Sequence, residues 1–178
     1  MSYNSNDMMA KIQGLSLGEK LVGGGSILMV IAALFLPWIK VSVKGAAGIG
    51  GGSVSRAATG DPAGIWGILI ILVALVLAGV IIGRVLNMNM PALPNNLTWG
   101  QVFGGLAALE VILVVLKAWR IQAVDVGLCG DACSKSFGFG FFIGIVAVAA
   151  IGYGGYLLYS EDKGSGFSMG GGGSGFRR

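Results

Sequence analysis

The sequence predicts an all-α membrane protein: a four-transmembrane-helix bundle with a small β-hairpin in the first outer loop. Three observations carry that expectation. Apolar residues make up 54% of the 178 residues and charged residues only 11%, where a soluble domain carries about 25% charge. The mean hydropathy is +0.81. The 12 basic and 8 acidic residues nearly all lie between long apolar runs.

Three of those runs have no charge at all: Leu21 to Ile39, Pro62 to Gly83 and Ser136 to Ser160. A fourth, Leu97 to Leu116, contains a single carboxylate, Glu110. About 20 apolar residues in a helix cross a bilayer. The runs do not alternate apolar with polar residues, which excludes barrel strands and leaves helices. The expected helices are about 21–39, 62–86, 98–119 and 136–159, in a transmembrane domain spanning 21–160. An N-terminal segment, 1–20, precedes it, and a Gly-rich flexible tail, 161–178, follows.

Local signals mark the helix starts. Ser16 with Glu19 and Thr98 with Gln101 are spaced as capping boxes. Asp61-Pro62 places an acid at the N-cap and a proline at the first helical position. The first apolar run is too long for a cleavable signal peptide and lacks small residues at Leu36-Pro37-Trp38. Before it, Met8, Met9, Ile12 and Leu15 recur at helical spacing. They mark either a short helix on the membrane surface or a frayed, slightly apolar end.

In the first loop, Ile39-Lys40-Val41-Ser42-Val43 alternates strictly, as a half-buried strand does. A glycine-rich turn leads to Ser53-Val54-Ser55-Arg56, which completes a hairpin on the membrane surface; a disordered loop is the alternative, because the glycines specify register weakly. The second loop, with Pro91 and Pro94, is a tight link. Asn96-Leu97-Thr98 matches a glycosylation sequon but abuts a helix start. In the third, Cys129 and Cys133 flank Gly130-Asp131-Ala132. That spacing suits a small disulfide in an oxidising compartment. Free thiols and a redox pair are the alternatives.

Lysines and arginines divide six against six between the two sides, so charge does not set the orientation. The cysteine pair does: it places the third loop on the oxidising side and both termini in the cytoplasm, in a multi-pass protein of the cell membrane.

Few residues offer chemistry. The chain has no histidine, and two cysteines cannot close a structural zinc site. A nucleotide loop, a nucleophile elbow and a dinucleotide fingerprint are all missing. The expectation is therefore no enzyme, no cofactor and no metal. The net charge of +4 is too small and scattered for nucleic acid.

Glu110 is the one ionisable group deep in an expected span. An intramembrane carboxylate marks a proton or cation site, or else is a neutral group hydrogen-bonded to a neighbouring helix or subunit. Small residues at four-residue spacing recur at Ala74 and Ala78, Gly79 and Gly83, Gly100 and Gly104, and Gly140 and Gly144. Such pairs let helices approach closely, within one bundle first and between subunits second. Trp38, Trp66, Trp99 and Trp119 sit near helix ends and suit the membrane interface.

In the order of its parts the chain resembles the claudin-like four-span membrane proteins. Leu36-Pro37-Trp38, followed at once by a strand, looks like the end of their first helix, and Gly64-Ile65-Trp66 is similar to their Gly-Leu-Trp motif. The resemblance covers residues 21–86. Two features depart from it: the first loop has no cysteine pair, and Trp66 opens a helix instead of following a strand. The chain is also similar to small, uncharacterised bacterial four-span proteins with Pro-Trp at the end of helix one, which imply no activity.

The function expected is non-catalytic: a structural, accessory or assembly subunit of a membrane complex or oligomeric array. Its partners would be the lipid bilayer and other copies of itself or other membrane subunits. Two alternatives are a small channel or transporter component using Glu110 and a claudin-like contact protein acting through its first outer loop.

Overall fold

A computed structural model describes residues 5–43, 51–60, 64–86, 88, 93, 97–123 and 133–165. It is mostly helical, with four long apolar helices and a small three-stranded antiparallel sheet. In chain order the elements are α1 Ser5–Gln13, α2 Leu17–Phe35, β1 Ile39–Val43, β2 Gly52–Arg56, α3 Gly64–Val85, α4 Trp99–Ala123, β3 Cys133–Phe137 and α5 Phe139–Ser165. Helices α2, α3, α4 and α5 are each long and apolar enough to cross a membrane.

The boundaries follow local chemistry. Ser16 caps α2: Glu19 N donates to Ser16 Oγ at 3.3 Å and Ser16 N to Glu19 Oε2 at 2.9 Å. A cap of this kind stabilises by about 1 kcal/mol. The helix therefore starts four residues before the uncharged run that opens at Leu21, and it stops before Pro37, ahead of the expected end at 39. Thr98 and Gln101 make the same reciprocal pair before α4, both bonds 3.3 Å. At the N-terminus the amphipathic spacing gives the helix α1. The Asp61-Pro62 start signal, Pro91, Pro94, Asn96 of the sequon, Cys129 and the tail beyond 165 lie outside the described residues.

The four long helices form a ring: α2 touches α3, α3 touches α4, α4 touches α5, and α5 closes back on α2. Glycines bring α2 and α5 together. A Cβ on Gly154 would lie 2.8 Å from Gly18 O, and one on Gly25 would lie 3.0 Å from Ala147 O. The core runs the length of the ring through Val22, Met29, Ile70, Leu77, Phe103, Ala107, Val114 and Ile151. Exposed positions on the shell are also apolar, among them Ile31, Leu72, Val76, Ile112, Val115 and Val146. A helix that is apolar all round belongs in a large core or in a membrane.

One end of the ring carries the sheet, in the order β2-β1-β3. The expected hairpin forms, with Val41 opposite Val54. The third strand is unexpected: residues 133–137 pair with β1, Ile39 opposite Phe137 and Lys40 opposite Ser136. Helix α5 accordingly starts at Phe139, not 136. Trp38 is the node of this cap, its N–H donating to Arg56 O at 2.8 Å and its carbonyl accepting from Gly138 N at 2.9 Å.

Cross-strand partners share a face. Ile39, Val41, Val54 and Phe137 lie on one face, and Ile39 is buried against the bundle. The other face carries Lys40 with Ser42, Ser53, Ser55, Ser134 and Ser136. At the opposite end of the ring, Arg84 of α3 pairs with Glu19 of α2, and its guanidinium lies 5.9 Å from the centre of the Phe103 ring.

Candidate functional site

The buried stripe of α4 is Gly100, Phe103, Ala107, Glu110, Leu113, Val114, Lys117 and Ile121. Steps of three and four keep these positions on one face. Both interior charges of α4 therefore point into the ring, two turns apart. Glu110 is 0% exposed, and neither carboxylate oxygen has a hydrogen-bond partner among the described residues. Among the described residues no neighbouring helix supplies the hydrogen bond expected of a neutral carboxyl.

Ser26 belongs to the same interior. It lies on the buried stripe of α2 between Val22 and Met29, is 0% exposed, and its Oγ likewise has no partner among the described residues. Helix α5 serves as a ruler for depth. Gly25 packs on Ala147 and Ile151, while Gly152 packs on Val111. Ser26 and Glu110, each one residue from those contacts, differ in depth by about one turn, roughly 5 Å at 1.5 Å per residue.

Lys117 closes the sheet end of this interior. It is 0% exposed. Its Nζ donates to Ala58 O at 2.5 Å and lies 5.9 Å from the centre of the Trp38 ring. A buried ammonium needs such partners. Ala58 itself is 0% exposed, inserted into the mouth of the ring with its N–H donating to Ala33 O at 3.1 Å. Gly67 makes room for it: a Cβ there would sit 2.0 Å from Ala58 O.

Trp38, expected at the membrane interface, is fully buried. Its Nε1 donates to Ala32 O at 2.8 Å, and its ring meets Phe141 edge-on at 5.7 Å. The physical reason is the missing bulk at Gly140 and Gly144. A Cβ on Gly144 would lie 2.7 Å from the indole, and one on Gly140 would lie 2.6 Å from Leu36 Cβ. That pair packs inside the subunit. Trp66 and Trp99 are half-buried against the core, and Trp119 is exposed on α4.

Of the other small residues, Ala74, Ala78, Gly83 and Gly100 face the interior, and Gly104 lies against Tyr159. Gly79 has open space around it. Cys133 begins β3 opposite Val43; its proposed partner Cys129 is outside the described residues. Among the described residues no group of three or more metal-ligating side chains forms.

Sequence reasoning missed Ser26, Lys117, Ala58 and Gly67. The seven-residue step from Glu110 to Lys117 was a usable signal for one of them. For Ala58 no local signal exists, because its burial comes from a loop folding back over the ring. No protein-family model matches the chain, and no curated protein matches it.

Proposed function

We propose that the chain is a multi-pass membrane protein without catalytic activity that acts as an assembly subunit, with the sheet outside and both termini in the cytoplasm. Four helices with apolar outer faces support the membrane placement. The observation that carries the assembly reading is β2. It is an edge of the sheet, every residue of Gly52–Arg56 is exposed, and it carries neither proline nor bulge. Such an edge presents unpaired N–H and C=O groups as a template for another strand. Open space around Gly24, Gly79 and Gly105 on three different helices adds surface where a second helix can approach.

One variant tests both parts. Ser55→Cys, in a Cys129→Ser, Cys133→Ser background, places a single thiol on the exposed edge strand. In whole cells a membrane-impermeant thiol reagent should label it from outside. Oxidation in native membranes should join it to a second copy or to a partner subunit. A strictly monomeric product, or labelling from the cytoplasmic side alone, would refute the corresponding half of the proposal.

A further inference from the structure

Two polar side chains in the ring have no visible use: Glu110 on α4 and Ser26 on α2. Both are 0% exposed and neither has a hydrogen-bond partner among the described residues. They stand on diagonal helices of the ring, within about one turn of each other in depth by the α-helical rise. Lipid offers such groups nothing, and an unpaired carboxylate in an apolar interior is among the costliest groups a protein can keep. Buried unpaired groups in native structures mark a bound species or a functional strain.

Among the described residues no charged group hydrogen-bonds to Glu110. Lys117 lies two turns towards the sheet and is engaged by Ala58 O and the Trp38 ring. Towards the other end, Arg84 is paired with Glu19. The tyrosines of α5 that share this half of the bundle, Tyr153 and Tyr156, are exposed on the shell, and Tyr159 lies beside Gly104. Among the described residues, what remains is a carboxylate and a hydroxyl oxygen inside the ring, oxygen donors of the kind a small hard cation takes.

We propose that Glu110 and Ser26 form an intramembrane binding site for a monovalent cation, hydronium or sodium, closed on the sheet side by Ala58 and its Lys117 latch. The site stands independently of the assembly reading, since it uses no surface of the bundle. Glu110 supplies the charge and Ser26 a neutral oxygen. Passage of a bound ion across the membrane therefore requires the Ala58 turn to lift from Lys117.

The test uses the purified full-length chain in lipid discs and in proteoliposomes. Thermal unfolding is measured in sodium chloride and in choline chloride at equal ionic strength. Proton uptake is followed with an entrapped pH dye under a potassium diffusion potential. For sodium, the wild type should unfold at a higher temperature in sodium than in choline, and both Glu110→Gln and Ser26→Ala should lose that difference. For hydronium, the wild type should take up protons, Glu110→Gln should abolish uptake and Ser26→Ala should slow it several-fold. A wild type that shows neither sodium-specific stabilisation nor proton uptake overturns the proposal, whatever the variants do. So does either effect persisting unchanged in Glu110→Gln.

Discussion

Gly67→Ala adds one methyl group where the loop closes the ring. The new Cβ would lie 2.0 Å from Ala58 O, 2.5 Å from Ala58 C and 3.0 Å from Thr59 N. Ordinary contact begins near 3.4 Å, so α3 and the loop must separate by about 1.4 Å along that line. Ala58 is held there by the bond from its N–H to Ala33 O and by the Lys117 ammonium on its carbonyl. A shift of that size breaks both. The neutral bond contributes about 1 kcal/mol and the charge-assisted one about 1.5–3 kcal/mol. Replacing glycine within a helix returns about 1 kcal/mol. The net loss is then about 1.5–3 kcal/mol. Gly79→Ala, on the same helix with open space around it, is the control and should be neutral or slightly stabilising. Reversible unfolding in mixed micelles, followed by tryptophan fluorescence, reads both. A Gly67→Ala protein as stable as Gly79→Ala would refute the closure of the ring by Ala58.

Gly144→Leu should unfold the subunit, because its side chain must displace the buried Trp38 ring; Gly105→Leu, in open space, should leave the monomer folded and disturb only contacts between copies, as crosslinking in membranes would show. Lys117→Met leaves Ala58 O buried without its donor, a cost of about 1–3 kcal/mol partly offset by removing a buried charge. Amide exchange at Ala58 should accelerate while exchange in the middle of α5 stays unchanged.

The long helices and the hairpin were legible because their determinants are local. Uncharged runs, two capping boxes and the alternation of residues 39–43 each act within a few residues. The strand β3 was not legible. Cys133-Ser134-Lys135-Ser136-Phe137 has little strand preference of its own and exists through pairing with β1, about 96 positions earlier as Ser136 Oγ reaches Lys40 O. Propensity yields to tertiary pairing in such cases. Trp38 illustrates the same limit. Its place at a helix end suggested the lipid interface, but two glycines a hundred residues further on open a slot that buries it. Glu110 was visible as a charge in an apolar run, whereas Ser26 was hidden among residues of ordinary hydropathy, and only the ring of helices brings the two to similar depth.

The cap joins the outer edge of the protein to its interior through very little chain. Strand β2 ends at Arg56, whose carbonyl accepts from Trp38 N, and two residues later Ala58 enters the ring. Trp38 in turn lies beneath the latch, its ring facing the Lys117 ammonium and its carbonyl held by Gly138 at the start of α5. A strand added to β2 would act on Arg56 and hence on both Trp38 and the Ala57–Gly60 turn. The residues that close the candidate cation site are therefore those most directly attached to the surface where a partner would dock. That attachment links the two proposals: a docked strand that shifted Ala58 would take the acceptor from Lys117 and alter the closure over Glu110 and Ser26.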